Sequence, residues 1–181
     1  MTVTIGIDPG KLGALVVLFT DDSLLTYDLG GCYDDSGASK FSLNSRKFHN
    51  LLSMNFGRIF YGRRKVFVCC EKPIFVGGGF TIRTTMSMFE SFGVIHSVFD
   101  SLGVPFRGVA PREWIRFYAD LYHPKKKRDK SESVKKAIQL FPSSAHLFEY
   151  EVLRGKNKGS KIGLDGRAEA ALIANYARSL C

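Results

Sequence analysis

Apolar residues in the first part of the chain come in short runs rather than at helical spacing. Val3 to Asp8, Gly13 to Thr20 and Ser23 to Tyr27 are three such runs, broken by Pro-Gly-Lys and Asp-Asp. Breaks that short join antiparallel neighbours, so the pattern predicts a three-stranded meander. Gly30 to Lys40 is rich in glycine, serine and aspartate and reads as a loop. Phe48, Leu51, Leu52, Met54 and Phe56 then suggest an amphipathic helix ending near Gly57. Lys65 to Glu71 reads as a fourth strand, followed by a glycine-rich loop, Gly77-Gly78-Gly79, and a helix over Thr84 to Leu102. A fifth strand over Pro105 to Val109 runs into Ala110-Pro111-Arg112-Glu113-Trp114, a helix start with proline in its first turn. A basic run from Pro124 leads to a helix over Ser131 to Leu140. A second basic loop, Arg154 to Lys161, precedes a last helix over Asp165 to Leu180.

Strands first and helices later, with no internal repeat and no long linker, describe one α/β domain over residues 1–181. A chain with 45% hydrophobic and 13% aromatic residues is not disordered. Lysine and arginine number 26 against 17 aspartate and glutamate, for a net charge of +9 and a pI near 9.5. That balance is expected of a polyanion binder. Cys32, Cys69, Cys70 and Cys181 show no metal-binding spacing and read as reduced core thiols, not a zinc site or disulfide frame. His49, His96, His123 and His146 are scattered and read as structural. Neither a signal peptide nor an apolar stretch of about 18 residues is present, which points away from secretion and membranes and towards an intracellular protein, cytoplasmic or nucleoid-associated.

The candidate chemistry lies at element ends. Asp8 closes the first strand and Glu71 the fourth; as parallel neighbours the two strands would deliver both carboxylates to one sheet edge. Asp165 and Glu169, four apart on the last helix, share a face. Alanines 168, 170, 171, 174 and 177 allow that helix a close approach to the sheet. Four gathered acids repel one another, and hard divalent cations with oxygen ligands resolve the repulsion. Two such ions about 4 Å apart would activate a water and steady the leaving oxygen of a phosphodiester. Plainer readings stay open: Asp-Pro-Gly is ordinary turn chemistry, and Asp165 and Glu169 suit a helix N-terminus without any metal.

Ile5-Gly6-Ile7-Asp8-Pro9-Gly10, Val68-Cys69-Cys70-Glu71-Lys72-Pro73 and Asp165-Gly166-Arg167-Ala168-Glu169-Ala170-Ala171 resemble, in order, the acidic motifs of RuvC-type Holliday-junction resolvases. The resemblance runs from the first strand to the last helix, with looped insertions around Gly30 to Lys40 and Phe141 to Gly163. The four-residue spacing of Asp165 and Glu169 resembles the plant organellar branch more than the bacterial enzymes, whose final carboxylates lie three apart. The family implies a ribonuclease H-like fold: a mixed five-stranded sheet, with a three-stranded antiparallel meander and two parallel strands, flanked by helices. It further implies a homodimer that binds a four-way DNA junction and nicks two strands symmetrically, with two magnesium or manganese ions per site and no small-molecule cofactor. The implied metal ligands are Asp8, Glu71, Asp165 and Glu169.

A basic residue beside the scissile phosphate is implied too, and Lys130 is the best match, with Arg112 and Arg116 as alternatives. Lys125, Lys126, Lys127 and Arg128, and beyond them Arg154, Lys156, Lys158 and Lys161, are candidates for DNA phosphates or for plain solvated loops. An aromatic shortly after Glu71 is implied to stack at the junction centre, matching Phe75 or Phe80, although either ring could equally pack in the core. Two other functions stay in view: a nucleic-acid-binding domain without catalysis, and a ribonuclease H-like nuclease acting on another branched DNA or an RNA–DNA hybrid.

Overall fold

A computed structural model of the chain describes residues 2–34, 42–60, 65–74, 82–121, 129–151 and 161–181, the side chains of Arg83 and Lys161 apart. β1 (Thr2–Ile7), β2 (Ala14–Leu18) and β3 (Leu24–Asp28) form the expected meander, and β4 (Lys65–Glu71) and β5 (Phe106–Val109) add two parallel strands. Their order is β3-β2-β1-β4-β5, a mixed five-stranded sheet. The helices are α1 (Ser45–Phe60), α2 (Ile82–Ser101), α3 (Pro111–Phe117), α4 (Lys130–Leu140) and α5 (Asp165–Arg178).

Both sheet faces are covered, which is why burial runs unbroken from Val3 to Ile7 in β1 and through all of β2 rather than alternating. On one face Ile5, Ile7, Leu15, Val17, Val68 and Cys70 pack with Phe48, Leu52 and Phe56 of α1 and Ile95 and Phe99 of α2. On the other, Ala14, Val16 and Leu18 meet Ala170, Ala171 and Ala174 of α5 and Val134 and Ala137 of α4. A third cluster joins Cys69 and Val109 to Trp114 of α3 and to Leu172, Ile173 and Ala177 of α5.

Several expectations need correction. α1 runs through Gly57 to Phe60 because Ile59 is buried and Phe60 packs edge-on against Phe56 and Phe99. Its buried stripe is Phe48, Leu52, Phe56 and Ile59, so Met54, over half a turn from Leu52, faces solvent at 85% exposure. The stretch expected to be loop before α5 contains a 3-10 helix, Pro142–Leu147, and a hairpin of β6 (Glu149–Glu151) and β7 (Lys161–Gly163). Three-residue strands carry too little alternation to be read in advance, and Lys161 therefore lies on a strand rather than in a basic loop. Cys32, Cys69 and Cys70 are buried free thiols, but Cys181 is exposed. Phe75, Phe80, the run Lys125 to Arg128, and Arg154, Lys156 and Lys158 lie outside the described residues. Among the described residues no helix is long and apolar enough to cross a membrane.

α5 sits directly on β1. A Cβ at Gly6 would lie 2.0 Å from the Ala170 carbonyl oxygen and 2.3 Å from the Ala174 nitrogen. Gly166 makes the same kind of contact at the helix start, where a Cβ would lie 2.2 Å from the Leu12 carbonyl oxygen. Backbone on both sides cannot yield as a side chain would. Gly6→Ala should therefore cost about 3 kcal/mol of stability, measured as a fall in the denaturant midpoint; a midpoint unchanged by the substitution would show that α5 can lift from the sheet.

Candidate active site

The parallel register of β1 and β4 pairs Gly6 with Cys69 and Ile7 with Cys70. One step on, the two strands deliver Asp8 and Glu71 side by side. Strand alternation also fixes their face: Asp8 shares parity with Gly6, and Glu71 with Cys69, the side covered by α5 and α3. Both acids come close to one buried group, the Cys70 thiol. Burial pushes that thiol well above its ordinary pKa, and the charges of Asp8 and Glu71 push it the same way.

Each strand-end acid is held by identifiable partners. The Gly10 amide donates to Asp8 Oδ1 at 3.2 Å, closing the Asp-Pro-Gly turn on its own carboxylate. Tyr33, buried beneath this turn, donates its hydroxyl to the Pro9 carbonyl at 2.6 Å and lies 3.1 Å from Ser91 Oγ. Burial pushes the Tyr33 phenol up to about 12 against the lowering effect of the Ser91 hydrogen bond, and the charge of Asp8 adds to the rise, so Tyr33 remains a donor at neutral pH. Glu71 accepts from Trp114 Nε1–H at 2.7 Å, and Trp114 is fully buried. α3 is short, but its first turn is secured by Glu113, whose carboxylate accepts from the Ala110 amide at 2.8 Å.

α5 supplies the other two acids. Asp165 stands in its first turn and Glu169 one turn further, only 5% exposed. A carboxylate so buried is costly unless its charge is met. The meeting groups come from α4, where Ser133 Oγ lies 3.4 Å from Glu169 Oε1 and the Lys130 ammonium donates to Asp165. Asp129 caps α4 by accepting from the Ser131 amide at 2.9 Å, and so fixes Lys130 at the helix start. Burial lowers the Lys130 pKa, but the Asp165 hydrogen bond and the charges of Glu169, Asp165 and Asp8 outweigh it and hold the ammonium above its ordinary value.

Lys130 thus donates to Asp165 and feels the charges of Asp8 and Glu169, with Glu71 on the strand beside Asp8. Arg112 and Arg116 are exposed on α3, four residues apart on a single face. The motif residue Arg167 is turned elsewhere, onto Asp28 with hydrogen bonds of 2.7 and 2.6 Å that tie α5 to the end of β3. Trp114, Tyr33 and Ser133 were not foreseen. Trp114, as the chain's single tryptophan in a helix opened by proline just after a strand, offered a signal; Tyr33 and Ser133 offered none.

Two solved structures share this architecture. One is Thermus thermophilus RuvC in complex with Holliday junction substrate, with a TM-score of 0.57, 17% identity and coverage of 99% of this chain and 96% of that one. A second structure of the same RuvC gives a TM-score of 0.56, 19% identity and coverage of 98% and 96%. The fold is that of RuvC. No protein-family model matches the sequence, and no curated protein matches it.

The donor set is all oxygen and suits a hard cation such as magnesium or manganese. Among the described residues no three acidic, histidine or cysteine side chains converge as a finished cage. An incoming ion would compete with the Lys130 ammonium for Asp165. Because Trp114 touches Glu71, its emission should report occupancy: titration with Mn2+ is expected to quench it, and Glu71→Gln to remove the response. Flat emission in the unaltered protein would exclude Glu71 as an ion ligand.

Proposed function

We propose that this chain is a metal-dependent endonuclease that resolves four-way DNA junctions by paired symmetric nicks. The observation that supports this most is the parallel register that sets Asp8 beside Glu71 at one sheet edge, with the charges of Asp8, Asp165 and Glu169 all felt at Lys130, on a RuvC fold. In this reading Asp8, Glu71, Asp165 and Glu169 hold two magnesium or manganese ions. Bound there, the ions would supply an activated water and a counter-charge for the leaving oxygen. Trp114 fixes the orientation of Glu71, and Ser133 does the same for Glu169. Lys130, released from Asp165, turns its ammonium to the scissile phosphate. Arg112, Arg116 and Lys161, with the basic runs Lys125 to Arg128 and Lys156 to Lys158, contact backbone phosphates, and Phe75 or Phe80 enters the junction centre.

A two-fold junction offers equivalent phosphates to the two halves of a symmetric dimer. α2 carries a surface suited to that pairing. Ile82, Met86 and Phe89 are 76%, 59% and 44% exposed and recur at helical spacing, while Gly93 on the same face has open space around it. Met86→Glu combined with Phe89→Lys should give a monomer by light scattering; a dimer that persists would place the contact elsewhere.

The deciding experiment offers a mobile four-way junction, a matched linear duplex and an RNA–DNA hybrid with magnesium. Paired nicks in the junction alone are expected, whereas cleavage of the hybrid with the junction intact would assign the fold to hybrid hydrolysis. Asp8→Asn, Glu71→Gln, Asp165→Asn and Glu169→Gln should each abolish cutting and leave junction affinity equal or higher, since the basic surface is untouched. A variant keeping more than about a tenth of the turnover, about 1.4 kcal/mol in barrier, would remove its residue from the metal-binding set.

A further inference from the structure

Beside Asp165 lies a cleft of about 460 Å³ whose lining includes Lys11, Leu12, Tyr150, Ile162, Asp165 and Arg167. Its apolar lining faces water. Leu12 on the β1–β2 turn is 90% exposed, Tyr150 of β6 49% and Ile162 of β7 39%. Tyr150 and Ile162 are direct cross-strand partners, so they present one continuous platform on a single face of the hairpin.

This platform is fixed relative to the acids. The Leu164 amide donates to the Phe148 carbonyl at 2.7 Å, joining the base of the hairpin to the start of α5. Phe148 is fully buried, and a Cβ at Gly163 would already touch Val134 of α4 at 3.0 Å. The electrostatics of the cleft are simple. Arg167 is committed to Asp28, which leaves the exposed Lys11 as a cation at the rim.

We infer that this cleft receives one unpaired nucleotide of the cut strand, adjoining the scissile phosphate, with its base on Tyr150 and Ile162 and its phosphate at Lys11. The inference rests on the junction-cutting reading. A nucleotide combines an apolar ring face with an anionic group, and the cleft matches them with the Tyr150–Ile162 platform and the Lys11 cation, its lining carboxylates Asp28 and Asp165 being paired with Arg167 and Lys130. Asp165 borders both cleft and acidic site, so the occupant is contiguous with the reacting phosphate. The ring face of an unpaired base is free to stack where that of a paired base is covered by its neighbours, so the cleft favours an opened crossover and not a particular letter, because stacking is tolerant of base identity.

The test uses junction strands carrying 5-iododeoxyuridine at each position flanking the cut, irradiated on the full chain without metal so that binding alone is read. The attachment is expected on Tyr150. In parallel, Tyr150→Ala should cut the junction roughly ten-fold more slowly in single-turnover assays, and Tyr150→Phe, which keeps the ring, should restore most of the loss. Crosslinks elsewhere, with junction cutting unaffected by Tyr150→Ala, overturn the cleft and leave the nuclease reading intact. Attachment at Tyr150 in a chain that cuts no junction upholds the cleft and overturns that reading. If Tyr150→Ala fails to fold, the crosslink on the unaltered protein decides alone.

Discussion

The distance between α5 and β1 governs everything else in this molecule. At Gly6 no volume remains for even a methyl group, because the Ala170 carbonyl and the Ala174 amide already occupy it. Such contact is possible only where one partner is glycine and the other a helix of small residues, and the sequence provides both at matching positions. Its effect is positional. Were α5 held a few ångströms further out, as ordinary side chains would require, α4, which packs on it, would move with it, and Asp165 and Glu169 would draw away from Asp8 and Glu71 at the strand ends.

Charge is balanced within the same short range. Asp165 takes its hydrogen bond from the Lys130 ammonium, which also feels the charges of Asp8 and Glu169, and Glu71 takes its own from Trp114. A neutral donor at Glu71 and a cationic one at Asp165 hold the acids in place without filling the whole negative field. Hydrogen bonding to a neutral indole leaves the charge of the Glu71 carboxylate in place, whereas the ammonium at Asp165 offsets part of the charge there.

The sheet was legible because its strands come as short, largely apolar runs broken by strong turn formers; β4 was readable to the residue, from Lys65 to Glu71. The four acids were legible because they stand at element ends or at helical spacing. What escaped notice lacked such local signs. The partnership of Trp114 with Glu71 spans two elements and depends on how α3 lands, which no local pattern encodes. β6 and β7 are stabilised by pairing with each other across residues 152–160 and by Phe148 beneath them, so neither strand shows a period of its own. α1 passes through Gly57 because tertiary packing of Ile59 and Phe60 exceeds the roughly 1 kcal/mol that glycine costs a helix.

The Arg167–Asp28 pair joins positions 139 residues apart, and it stands for a wider property of the chain. Asp8 and Glu71 belong to segments made early in synthesis, whereas Asp165 and Glu169 belong to a helix that reaches the sheet only after all five strands exist. During translation the early acids therefore stand alone, with the face of β1 that α5 will cover still open to water. A ribosome-bound chain therefore lacks two of its four candidate acids until α5 has been made. The docking of α5 is thus the step that brings the two halves of the acidic set together, and a lesion that loosens α5 parts them while the sheet persists.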